Sequence, residues 1–204
     1  VDLGSRSGRE RVGTITARFP PGARPLVTDQ PYQPLADAPG WFTRALAVPF
    51  TDATVDVDGP IHHLAWGKPN TRGLVFVHGG GAHAHWWTHV AATFAEEFRV
   101  VAVDLSGHGD SIHREQYTLE QWTDEVIAVA EAGQISGPPV VIGHSMGGFV
   151  TIATAARHAS QLPGIIVCDS PVTEPDPEIG AYHLREAFGH PRTYGTLEEA
   201  VARF

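Results

Sequence analysis

The chain has 204 residues, 42% hydrophobic and 18% charged, with a formal net charge of −9; this suits one globular core and argues against a nucleic-acid or anionic-membrane partner. A single cysteine, Cys168, excludes an intrachain disulfide and a cysteine-based zinc site. No apolar run approaches the roughly 18 residues of a membrane span, and the N-terminal arginines are not followed by the apolar core of a signal peptide, so a cytoplasmic location is the expectation.

Residues 1–40 scatter arginines among Gly, Ser and Pro, and six prolines between Pro20 and Pro39 block regular structure. They read as a flexible arm. A short helical turn is expected within Trp41–Phe50. Ala53 to Asp58 alternate and predict a strand, Asp58-Gly59-Pro60 turns the chain, and Ile61–Trp66 returns as a second strand. His62 and His63 fall in that return. Neighbouring strand residues face opposite ways and cannot chelate one metal, so both read as ordinary strand residues.

Leu74–Val77 is a continuous apolar run, as in a strand covered on both faces. It leads into His78-Gly79-Gly80-Gly81, and His83–Phe94 predicts a helix. His85 and His89 stand four apart on it, but the glutamate of a zinc-binding His-Glu-x-x-His is missing. Arg99–Val103 is the next strand, ending in Asp104-Leu105-Ser106-Gly107-His108-Gly109-Asp110-Ser111. Thr118 and Gln121 form a capping box for a helix that buries Leu119, Trp122, Val126 and Val129 and stops before Gly133.

Val140–Ile142 predicts a buried strand. Gly143-His144-Ser145-Met146-Gly147 follows, and then an alanine-rich helix to about His158. Strand, sharp turn and helix are the context in which Gly-x-Ser-x-Gly presents a serine hydroxyl above a sheet. Ile165–Cys168 is a further buried strand, ending at Asp169-Ser170-Pro171. Buried strands alternating with helices predict an α/β fold with a mainly parallel central sheet and flanking helices. In such sheets chemistry sits at the carboxyl ends of the strands, where His78-Gly79, Asp104, Ser145 and Asp169 all fall.

Four ordered motifs resemble the α/β-hydrolase family over residues 41–204: His78-Gly79-Gly80-Gly81, Asp104-x-x-Gly107-His108-Gly109-x-Ser111, Gly143-x-Ser145-x-Gly147-Gly148 and Cys168-Asp169-Ser170-Pro171. The resemblance implies an α/β-hydrolase core over 41–173 and the start of a helical cap over 174–204. It implies a hydrolase acting on an ester or related acyl bond of a small molecule, without cofactor or metal. Ser145 would be its nucleophile, with oxyanion donors at the backbone N–H of Met146 and of Gly80 or Gly81. Prolyl aminopeptidases usually carry His-Gly-Gly-Pro-Gly, from which Gly81 and Ala82 depart. Epoxide hydrolases and haloalkane dehalogenases place an aspartate where Ser145 stands.

Asp169 matches the acid position of a minority of the family, or a structural turn. The family's catalytic histidine follows its last strand, and none of the twelve histidines stands in that context. The chain begins with Val1, and a capping box at Thr196–Glu199 opens a helix cut off at Phe204. These features read as an incomplete hydrolase, with Gly164–Cys168 an aggregation-prone apolar sheet edge. A second chain supplying the histidine, or a non-catalytic small-molecule-binding protein, are the alternatives. Trp86, Trp87 and Phe149 suit either an apolar acyl group or core packing.

Overall fold

The structure, a computed structural model, describes residues 37–172 together with 194–196, 199 and 202. Most of the predicted arm and of the predicted cap lie outside the described residues. The chain divides after Ser170 into two units, each described by itself.

In the first unit, helix α1 (Gly40–Leu46) leads to strands β1 (Phe50–Asp56) and β2 (Pro60–Trp66). Strand β3 (Gly73–Val77) is followed by a 3₁₀ turn (Ala84–Trp87), helix α2 (Thr88–Phe94) and strand β4 (Arg99–Val103). Helix α3 (Leu119–Ala132), strand β5 (Val140–His144), helix α4 (Met146–His158) and strand β6 (Ile165–Cys168) complete it. The sheet order is β1-β2-β4-β3-β5-β6; β1 and β2 are antiparallel to their neighbours, and β4, β3, β5 and β6 run parallel. The sheet is thus mainly parallel and carries helices on both faces, as the strand–helix alternation predicts.

Side-chain alternation builds two cores. Val75, Val77, Val101, Val103 and Val141 pack with Trp122, Val126 and Val129 of α3 and Val150 of α4. On the other face Leu74, Phe76, Val100, Ala102 and Ile142 pack with Ala91 of α2. Strands β2, β3 and β4 are buried almost throughout, so every second residue serves a different core.

The elements deviate from the sequence expectation at several places: β5 runs on to His144, and β6, expected to be buried, is half-buried with Ile166 48% exposed, because β5 is its one strand partner among the described residues. β1 begins at Phe50, because its register with β2 extends to the Phe50–Trp66 pair. The helix predicted over His83–Phe94 begins as a 3₁₀ turn, and Thr88–Phe94 alone is α-helical. The Thr118 cap holds, with its Oγ1 accepting the Gln121 N–H at 3.1 Å. In the second unit Thr196 Oγ1 accepts the Glu199 N–H at 3.2 Å, and the Glu199 carboxylate accepts the Gly195 N–H at 2.9 Å. The threonine side of the predicted capping box is thus present, while the glutamate reaches the residue before the cap instead of the cap residue itself.

The sheet topology locates the site. From β3 the chain crosses to β4 on one side, whereas from β5 it crosses to β6 on the other. The carboxyl ends of the adjacent strands β3 and β5 therefore flank a topological switch point, where the loops diverge and leave a crevice.

Candidate functional site

Ser145 joins β5 to α4 with φ 53° and ψ −116°. A side-chain-bearing residue rarely adopts such a backbone, which costs roughly 1–3 kcal/mol unless its surroundings impose it. Its neighbours do. A Cβ on Gly143 would fall on the Gly147 carbonyl oxygen and the Thr151 hydroxyl, and one on Gly147 would fall on the carbonyl oxygens of Val77 and His78. These two glycines let β5, α4 and the end of β3 close around the serine. The serine peptide is held from both sides: its N–H donates to the Cys168 carbonyl at 2.9 Å, and its carbonyl accepts Ser170 Oγ–H at 2.8 Å.

The loop after β3 comes close to this turn. A Cβ on Gly79 would lie 3.3 Å from Ser145 Cβ. Gly80 is half-buried. Gly81 is exposed at φ 70°, and a Cβ there would meet no atom within 4 Å. Met146 is the first residue of α4, so its N–H has no acceptor within the helix. Among the described residues no backbone hydrogen bond engages the N–H of Gly80 or Met146. Met146 thus adjoins the serine from α4, and the loop after β3 reaches the serine turn at Gly79, next to Gly80 in the chain.

His78 fixes the base of that loop. Its Nδ1–H donates to the Gly79 carbonyl at 2.8 Å, and its Nε2 accepts the Leu105 N–H at 3.2 Å. One nitrogen donating and the other accepting defines a neutral imidazole. Burial, with the neighbouring His108 adding to it, lowers the His78 pKa to about 4. The His78 and His108 rings lie tilted against each other with centroids 4.8 Å apart. Neither touches Ser145 by any hydrogen bond.

Asp104, 1% exposed, stands at the end of β4. Its Oδ1 accepts the Ala84 N–H at 2.5 Å, and its Oδ2 accepts the Asp110 N–H at 2.9 Å and meets His62 Nδ1 at 2.8 Å. Ser111 Oγ–H donates to the Asp104 carbonyl at 2.5 Å and accepts the His62 N–H at 2.8 Å. The other ring nitrogen, His62 Nε2, reaches Asp52 Oδ1 of β1 at 3.0 Å. Burial opposes ionisation of Asp104, but His62 and the two amides outweigh it and hold its carboxyl below the ordinary value. Burial likewise opposes the His62 imidazolium, and the hydrogen bonds and charges of Asp104 and Asp52 override it and raise the His62 pKa.

His62 is therefore not the ordinary strand residue that its sequence context suggests. The signal was absent from the local sequence because it depends on β2–β4 pairing across 42 positions. His62, Asp104 and Asp110 also bring possible metal-ligand atoms within 4.8 Å of one another. Two backbone amides and the His62 ring already occupy the Asp104 oxygens, which makes this a hydrogen-bond junction.

A second network also escapes the sequence reading. Glu125 of α3 is fully buried; it accepts the Ser106 N–H at 2.9 Å and faces Arg114 Nη2 at 3.4 Å. Arg114 in turn donates to the carbonyls of Val57 and Asp58, tying the β1–β2 turn to α3. Burial raises the Glu125 pKa against the pull of Ser106 and Arg114.

Asp169 lies one residue beyond β6 at φ 52°, its side chain 92% exposed. Its Oδ2 is 3.8 Å from His144 Nε2. The His144 ring turns toward Trp86 and Trp87, with centroids at 5.7 and 6.5 Å, and no hydrogen bond connects it to Ser145. Trp87 packs on Phe76 of the core at 4.8 Å, whereas Trp86 and Phe149 are 56% and 42% exposed. Among the described residues no histidine is hydrogen-bonded to the Ser145 hydroxyl, and no helix is long and apolar enough to cross a membrane.

Comparison with known proteins identifies the family and the fold. Residues 74–203 match the alpha/beta hydrolase family. Protein phosphatase methylesterase 1 of Mus musculus is 34% identical over 137 residues, which are 63% of this chain and 35% of that protein. An esterase of Mycobacterium tuberculosis is 35% identical over 112 residues, 54% of this chain and 37% of that protein. The chain thus spans little more than a third of the length of the curated relatives it matches. Among solved structures, the thioesterase domain from the curacin biosynthetic pathway superposes with a TM-score of 0.62 at 22% identity, covering 76% of this chain and 60% of that one; this likeness bears on the fold.

Proposed function

The chain belongs to the alpha/beta hydrolase family, and from that membership we propose that it acts in ester hydrolysis with Ser145 as the nucleophile. The observation that carries this reading is the Ser145 backbone, at φ 53° and ψ −116° between β5 and α4. The fold holds a disfavoured conformation at one serine, at the switch point of the sheet and next to the free first turn of α4. The esterase names of the relatives point to the same bond type.

In this reading Ser145 Oγ attacks the acyl carbonyl carbon as a base removes its proton. The carbonyl electron pair moves onto oxygen and is met by the N–H groups of Met146 and Gly80, with Gly81 as the alternative to Gly80. Such donors are typically worth about 3–4 kcal/mol each in a transition state. Collapse of the tetrahedral species breaks the carbon–oxygen bond of the ester, and the alcohol leaves with the proton. Water then hydrolyses the acyl-serine and restores the hydroxyl. Asp169, exposed and loosely paired, is the acid candidate of this reading. The base comes from outside the set of histidines described above. Exposed Trp86 and Phe149 suit a substrate with an apolar acyl group.

A fluorophosphonate probe tests the nucleophile. Intact mass should rise by one phosphonyl group, mapped to Ser145 by peptide sequencing, and Ser145→Ala should abolish the adduct. An unmodified chain, or modification elsewhere with Ser145 untouched, rejects the reading.

A further inference from the structure

The Gly79–Ala84 loop is held at both ends. At its near end His78 grips the Gly79 carbonyl. Within it the Ala82 N–H closes a turn on the same carbonyl at 3.2 Å. At its far end Asp104 Oδ1 accepts the Ala84 N–H. Between these anchors Gly81 borders open space on its Cβ side. The placement of the loop thus depends on its two ends, and the far end is a buried carboxylate.

That carboxylate has one ion-pair partner among the described residues, His62. Both His62 ring nitrogens face carboxylate oxygens, Nδ1 toward Asp104 and Nε2 toward Asp52. An ionised carboxylate only accepts hydrogen bonds, so satisfying both contacts requires a proton on each nitrogen. The arrangement selects the imidazolium, flanked by one buried acid and one whose side chain is 63% exposed on β1.

We infer that His62 is a positioning residue for the loop that carries Gly80 and Gly81: as an imidazolium between Asp52 and Asp104 it fixes the carboxylate that anchors Ala84, and its charge state sets where the loop sits. The inference rests on the oxyanion reading above for its catalytic consequence, but not for the coupling itself. Loss of the His62 proton leaves a lone pair facing one of the two carboxylates. Because Asp52 can turn into solvent and Asp104 cannot, the Asp52 side chain turns away first, and Asp104 is left with a neutral, weaker donor in place of the imidazolium. The groups that face His62 are Asp52 from β1, Asp104 and Asp110 from the loop after β4, and His85 of the 3₁₀ turn at 6.5 Å between ring centroids; its strand neighbour His63 lies on the other face of β2 but within reach of its charge.

Nitrogen NMR of the histidine rings and amides across a pH titration tests the coupling. Both His62 nitrogens should stay protonated above pH 6.5, its ordinary value, and the Gly81 and Ala84 amides should shift with the ring's midpoint. Asp52→Asn, an exposed change that leaves the core intact, should lower that midpoint in ring and amides together. His62→Asn keeps a donor toward Asp104 without the charge; its amides should lose the pH-dependent step, and Ser145 phosphonylation should slow by about tenfold or more, since small misplacements of catalytic groups reach 10²-fold. A neutral His62 below pH 6.5, or amides that ignore the ring, overturns the inference regardless of Ser145. Labelling of Ser145 at a rate unaffected by Asp52→Asn and His62→Asn overturns it while the nucleophile reading stands. Coupled amides in a chain whose Ser145 takes no probe reject the nucleophile reading, and the catalytic role of His62 with it.

Discussion

His62–Asp104 at the end of β4 and His144–Asp169 at the ends of β5 and β6 use the same two residue types along one edge of one sheet. The first pair meets at 2.8 Å with both side chains almost fully buried, and its carboxylate takes two further backbone amides. The second approaches only to 3.8 Å, with the aspartate 92% exposed. A buried carboxylate must be satisfied where it stands, so its partners are fixed by the fold. An exposed one is solvated by water and stays free to take a different partner. Adjacency to the serine thus goes with the less committed pair, and structural commitment with the pair further along the sheet.

Removing a carboxylate from each pair should separate them most sharply. Asp104→Ala strands the His62 charge, the buried Ala84 amide and the part-buried Asp110 amide, and should cost about 3–5 kcal/mol, as breaking a buried ion pair does. Asp169→Ala should stay within about 0.5 kcal/mol. Urea unfolding of both variants checks this, and equal losses would erase the distinction.

A smaller effect should appear with pH. The depressed Asp104 pKa stabilises the fold above the ordinary value of 3.8 and is lost as pH falls through the native value. The raised His62 pKa stabilises it below the ordinary value of 6.5 and is lost as pH rises through the native value. Both contributions are therefore complete between pH 3.8 and 6.5. Unfolding free energies of the wild type and His62→Asn should differ most inside that window and converge above it.

Smallest is the gain from relieving the serine turn. Ser145→Gly should stabilise the chain by roughly 1 kcal/mol, since glycine tolerates the positive φ, while abolishing the phosphonyl adduct. A loss of stability would show that the turn is not strained.

The parts of this architecture that follow from local pattern were legible in the sequence. Thr118 with Gln121 marked the start of α3, and Trp122, Val126 and Val129 marked its buried face. The glycines around Ser145 announced a turn that only close packing explains. What escaped was set by pairing across the sheet. Nothing near His62 in the chain reveals Asp104, and nothing near Arg114 reveals the carbonyls of Val57 and Asp58. The 3₁₀ start at Ala84–Trp87 was equally hidden, because the Ala84 N–H is drawn to Asp104. Asp169 follows β6 as its motif placed it, but its exposure could not be read from Asp-Ser-Pro.

The grip on the Ser145 peptide has a consequence for how slowly its amide proton exchanges with deuterated water. That proton lies in a turn at the sheet's edge, yet it is donated to Cys168, whose strand pairs with β5 alone among the described residues. Exchange at this one position therefore requires the β5–β6 seam to open, whereas amides in the shared centre of the sheet need a larger opening. Deuterium uptake at Ser145 reads out the integrity of an outer strand, and whatever joins or leaves the far side of β6 is registered at the serine.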